Sequence, residues 1–146
     1  MIVFFHESGH MLIHELNLPI TGKEEDVADQ FSIFVLTKSS EYKQIRSQTI
    51  KSAAIRYNIL SKARQGKVTD RQFMDVHSLD RQRFFSLVCS LYIDDPDTYA
   101  YFVTKLGYSS NRLRMCRRDS QRISQSFEVL LKPYLKLRNQ PVEANR

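Results

Sequence analysis

The chain has 146 residues, 42% of them hydrophobic and 26% charged, with a formal charge of +6. That is enough apolar material for one packed domain, and the charge content is that of an ordinary globular protein. No apolar run is long enough to span a bilayer, and MIVFF at the start is too short and lacks the charged lead of a signal peptide.

The periodicity is helical almost throughout, with no alternating valine or isoleucine run to indicate a strand, so the fold class is all-α, an irregular multi-helix domain. A first helix is expected over 2–16, carrying His6 and His10. NLPITGK follows as a short loop broken by Pro19 and Gly22. A second helix is expected over about 22–37, with Thr21 and Glu24 spaced as a capping box. A third covers about 40–64, with Ile45, Ile50, Ala53, Ala54, Tyr57 and Leu60 as its apolar stripe. The polar segment 67–78 reads as turns. From Ser78 as N-cap a fourth helix runs to about Tyr92. Asp95 and Pro96 mark another start, and that helix stops at Gly107. Ser109 or Ser110 caps a last helix to about Leu131, before Pro133. The domain is expected over 1–135, with a disordered tail over 136–146.

Residues 6–10 read HESGH. Residues four apart share a helix face, so His6 and His10 can offer two imidazoles to one ion. Zinc suits such ligands. Glu7, offset by one residue, can reach a water at that ion and act as general base, which is the HExxH arrangement. Chance histidines on a surface helix are the bland reading, and a third ligand decides between the two. The metzincin pattern would need glycine at Ile13 and histidine at Leu16, and neither is present. His14 lies a turn further along and reads as a surface or outer histidine. The next helix carries EEDVAD at 24–29. With Glu24 assigned to the cap, Glu25 is free to complete a His, His, Glu set with an open position for water. Asp29, four residues on, can accept from the second ring nitrogen of one histidine and fix its tautomer. Ala28 is small enough to let the two helices close up, and the short loop makes them antiparallel neighbours.

HESGH followed by LPITGKEEDVADQF, then DVHSLDRQRFFSLVC at 75–89, Cys116 and the proline-ended helix at 127–133, resembles a bacterial metallopeptidase-like family still labelled a domain of unknown function. ExxxD after HExxH is also similar to the wider gluzincin group. The resemblance implies zinc as cofactor, His6, His10 and Glu25 as ligands, Glu7 as base and Asp29 behind the ligands. Gluzincins steady the tetrahedral oxyanion with a distant histidine or tyrosine, and His77 in DVHSLD is the candidate, with packing at a helix entry as its other reading. Asp80 could orient His77. Arg83 could serve the oxyanion itself or pair with Asp80.

The resemblance implies a peptide or protein substrate cleaved by zinc-activated water. A zinc-stabilised helical module without turnover is the alternative. Family members usually carry a longer segment before HExxH, often with a secretory signal, and in zincins that region supplies a substrate-pairing sheet. The short lead here therefore reads as a fragment, a misassigned start or a shortened relative, in each case a chain without that sheet, and a weak peptidase is expected. Localisation is periplasmic or secreted by resemblance, and cytoplasmic if Met1 is the true start. Cys89 and Cys116 form no CxxC pair and are either buried thiols or one disulfide. An exported family allows the disulfide to persist. The basic run RLRMCRRDSQR at 112–122 reads as a solvated helix face with Leu113 and Cys116 on its buried side, and no nucleic-acid partner is expected.

Overall fold

A computed structural model describes residues 1–64 and 68–135. Among them the chain is all α-helical, with no strand. The expected disordered tail at 136–146 lies outside the described residues. No described helix is long and apolar enough to cross a membrane.

In chain order the helices are α1 (Ile2–Glu15), α2 (Glu24–Lys38), α3 (Arg46–Ala63), α4 (Asp70–Phe73), α5 (Asp80–Asp94), α6 (Pro96–Lys105) and α7 (Ser110–Leu135). Helices α1 and α2 pack as one pair, α3 and α5 as another, with α6 against α5 and α7 against both α5 and α2. The core is built from Leu36, Ile50, Val88 and Val103, all fully buried, with Phe84, Leu87 and Leu91 around them. Of the apolar stripe expected on α3, Ile50, Ala53 and Ala54 are buried, whereas Ile45 lies outside the helix and is exposed. The start of α3 is fixed to the end of α5 by Arg46, whose Nε lies 2.6 Å from the buried Asp94 carboxylate, to which Ser47 also donates. Cys89 of α5 and Cys116 of α7 form a disulfide, with their Cα atoms 5.5 Å apart.

Several local expectations need correction. The third helix does not run from 40. Ser40–Tyr42 is a separate 3-10 turn, capped by Ser39, whose Oγ accepts from the Glu41 N–H. The segment 67–78 is not all turns, because Thr69 and Gln72 cap the single helical turn of α4. Ser78 does not cap α5. Leu79 occupies the N-cap and its N–H donates to Gln82 Oε1 at 3.0 Å, while Ser78 donates to Asp26 on α2. Pro133 does not end α7, which continues to Leu135. Proline there deletes one helical bond and crowds the carbonyl of Val129, but Val129 is exposed, so water can satisfy that group. Asp95 caps α6 as its sequence suggests, and Gly107, with φ +83°, turns the chain out of it.

Candidate metal centre

The site is assembled where α1 crosses α2. Gly9, in the middle of HESGH, is buried against the fully buried Ala28. A Cβ on Gly9 would stand 3.1 Å from Ala28 Cα and 3.3 Å from both Ala28 Cβ and Phe31 Cδ1. The two small residues thus let the backbones approach closely enough for short carboxylate side chains on α2 to reach the imidazoles on α1.

The crossing brings His6, His10 and Glu25 together, the one group of three His, Cys, Asp or Glu side chains among the described residues whose ligand atoms lie close enough together to hold one ion. His6 Nε2 is 3.2 Å from His10 Nε2 and 3.1 Å from Glu25 Oε2, and His10 Nε2 is 3.5 Å from the same carboxylate oxygen. The other nitrogen of each ring faces its own carboxylate. His6 Nδ1 lies 2.9 Å from Asp29 Oδ1, and His10 Nδ1 lies 2.6 Å from Glu24 Oε1. With each Nδ1–H donated outward, both Nε2 atoms turn lone pairs toward the Glu25 oxygen. In that tautomer three acceptors converge on one small space.

The role of Glu24 differs from the capping role that its spacing predicts. The N-cap of α2 is Lys23, there is no side-chain cap, and Thr21 makes no capping box with Glu24. Glu24 instead accepts from His10 and from the exposed His14, whose Nε2 is 3.1 Å away. The hydrogen bond to Glu24 is the main cause that raises the His10 pKa above its ordinary value, over the opposing effect of burial. The reciprocal bond lowers the pKa of Glu24. The capping-box spacing hid this role. The signal that could have revealed it was the His10, His14 spacing, which offers two imidazoles on one face to a carboxylate opposite.

Asp29 is shared. Besides His6 it accepts from Arg83 of α5, with Nε to Oδ2 and one terminal nitrogen to Oδ1, each at 2.7 Å. Arg83 therefore does not pair with Asp80, and its fork is already occupied. Its guanidinium also lies over the Tyr57 ring, 4.3 Å from the centroid. Burial alone would lower the Arg83 pKa, but the hydrogen bonds and charge of Asp29 outweigh it and the net shift is upward.

His77 reaches the site from the loop before α5. Its Nε2 is 3.0 Å from Glu25 Oε2. Asp80 does not orient it, being engaged 2.8 Å from Arg64. Asp75 does: one oxygen accepts from the His77 backbone N–H at 2.9 Å and lies 3.1 Å from Nδ1. Those bonds depress the Asp75 pKa, the backbone one most. The loop is in turn gripped by the first turn of α2, where Lys23 donates to the Asp75 carbonyl and Asp26 accepts from Ser78. Glu7 is exposed on α1, close enough to His10 for its charge to help raise that ring's pKa.

No curated protein and no solved structure matches the chain. A family model does, over residues 1–131, a span that holds the HESGH helix, the carboxylates of α2 and the loop bearing His77. The chain belongs to that family, DUF4344, described as "Putative metallopeptidase".

Proposed function

We propose that this protein is a zinc-dependent peptide hydrolase in which His6, His10 and Glu25 hold the metal. The observation that carries the reading is the spacing of the three converging acceptors, 3.1, 3.2 and 3.5 Å. Ligand atoms at about 2.0–2.1 Å from a tetrahedral zinc stand about 3.3–3.4 Å from one another. The donor set fits such an ion in both chemistry and spacing. Two imidazoles with Nδ1 anchored to carboxylates, plus one carboxylate, leave a fourth position open, as catalytic zinc sites require.

When bound, zinc supplies Lewis acidity and makes water a nucleophile near neutral pH. The chain's own residues do the rest. Glu7 takes the proton from the attacking water and passes it to the leaving amine, which suits an exposed carboxylate one residue off the ligand face. His77, with Asp75 holding its Nδ1–H, offers an Nε2–H in its protonated form to the developing oxyanion. Asp29 and Glu24 keep the two ligand rings in one tautomer and one orientation.

The test is hydrolysis of a fluorogenic peptide library by the zinc-loaded parent and by Glu7→Gln. The variant should keep its zinc and lose turnover by a factor of about 10² or more. Loss of the metal from Glu7→Gln would make Glu7 a ligand. Absence of turnover in the zinc-loaded parent would favour the non-catalytic module.

A further inference from the structure

Helices α2, α3, α5 and α7 do not close tightly around their common centre. They leave a cleft of about 1240 Å³, and His6, Asp29 and His77 stand on its wall. That volume exceeds the roughly 300–1,000 Å³ of ordinary small-molecule pockets. Away from the candidate centre more of the wall's surface is apolar than polar, and hydroxyl and amide side chains are set into it, among them Gln48 and Ser52 of α3, Ser86 and Ser90 of α5, and Ser120 and Ser124 of α7. Ile33, Ile93 and Ile123 supply apolar surface between them.

Charge is the deciding feature. The chain carries +6 overall, yet the cleft wall holds three arginines (Arg56, Arg83, Arg112) against three aspartates (Asp26, Asp29, Asp119). Among the described residues, all of these but Arg56 already have a partner in the protein. Arg83 is forked onto Asp29, Arg112 lies 3.7 Å from Asp119, and Asp26 accepts from Ser78. Except at Arg56, a charged ligand would compete with these partners, which are held firmly at the Arg83–Asp29 fork and weakly at the half-exposed Arg112–Asp119 pair. A chain of uncharged residues would not. Its amide groups meet hydroxyl and carboxamide side chains that both donate and accept, and its small apolar side chains meet the isoleucines.

We propose that this cleft is the substrate-binding groove, and that it takes an oligopeptide segment of uncharged residues leading away from the scissile bond. The proposal rests on the peptide-hydrolase reading above and adds to it a location and a substrate class. Charged segments are disfavoured, because the charges of the wall balance and most of its lining is uncharged.

The experiment uses zinc-loaded Glu7→Gln protein, which binds without cleaving, and three fluorescein-labelled ten-residue peptides. One contains only Ala, Ser, Gln and Leu; in the others four positions are Glu or Lys. Fluorescence anisotropy should show the uncharged peptide binding at least about tenfold more tightly than either charged one. Ser86→Trp and, from the facing helix, Ser52→Trp fill the groove from exposed positions and should each weaken binding about tenfold or more while the zinc content stays unchanged. Arg117→Glu, on the exposed side of α7, should leave binding as it was. Parent-like binding by both tryptophan variants overturns the groove, and equal binding of the charged peptides overturns the substrate class. If the parent neither holds zinc nor hydrolyses peptide, yet the tryptophans still abolish binding, the hydrolase reading falls and the groove stands.

Discussion

Gly9→Ala isolates the close approach on which the site depends. The added methyl would lie 3.1 Å from a backbone atom of Ala28 and 3.3 Å from two further carbons. Ala28 is fully buried in the middle of α2, so it cannot yield as the tip of a flexible side chain could. Overpacking of this kind costs about 1–3 kcal/mol. Alanine in place of glycine inside a helix returns about 1 kcal/mol. The net expectation is a loss of about 1 kcal/mol, or a fall of about 2–4 °C in the melting temperature of a domain this size. The larger effect should be on metal. Separating α1 from α2 by a few tenths of an ångström moves both imidazoles from Glu25, in a site whose geometry must hold within about 0.5 Å. Zinc affinity should therefore fall several-fold beyond what the stability change accounts for. Calorimetric melting of the metal-free protein and chelator competition read the two effects separately. Adding Ala28→Gly removes one of the contacts and should recover part of the zinc affinity, although the new glycine itself costs α2 about 1 kcal/mol of stability. A Gly9→Ala protein that melts higher than the parent, with unchanged zinc affinity, would show that the helices do not meet at these residues.

Further expectations follow from other contacts. Glu24→Gln should lower zinc affinity about 10–100-fold, as loss of a carboxylate behind a ligand does, measured by the same competition; an effect on helix stability alone would return Glu24 to a purely terminal role. His77→Ala and Asp75→Ala should both reduce turnover with metal retained, and a normal rate in both would remove that loop from the chemistry. Cys89→Ser, Cys116→Ser should cost about 3–4 kcal/mol in denaturant melts, because the bridge closes a loop of 27-residue separation; melts of the oxidised parent that are insensitive to reductant would contradict this. Burial pushes Tyr108 from 10.0 up to about 12. A folded pKa raised above the unfolded one gives stability that is complete below pH 10 and lost on rising through the folded value. Tyr108 should thus make the parent lose stability between pH 10 and about 12, and Tyr108→Phe should lose less over that window.

Much of the site was readable from sequence because it obeys one periodicity. HExxH and ExxxD each place their members a helical turn apart, so two helices and a short loop suffice to bring His6, His10, Glu25 and Asp29 into one region. What escaped depends on partners far away in the chain. Arg83 has Asp80 three residues before it but meets Asp29 instead, and Asp75 rather than Asp80 holds His77, because the 75–78 loop is pinned by the first turn of α2. Glu24 fits a capping pattern and a histidine partner equally well in sequence, and only the crossing of α1 and α2 decides between them. The elements that were misread are the 3-10 turn and α4, too short to show a period, and the end of α7, where an exposed position tolerates proline.

The central claim, a metal held by His6, His10 and Glu25, is tested most directly by metal content after native purification. Mass spectrometry should find about one zinc per chain in the parent, and almost none in a folded His6→Ala, His10→Ala variant or in Glu25→Ala. Parent-level zinc in the double histidine variant, or a parent that takes up no zinc when supplied with it, would contradict the account.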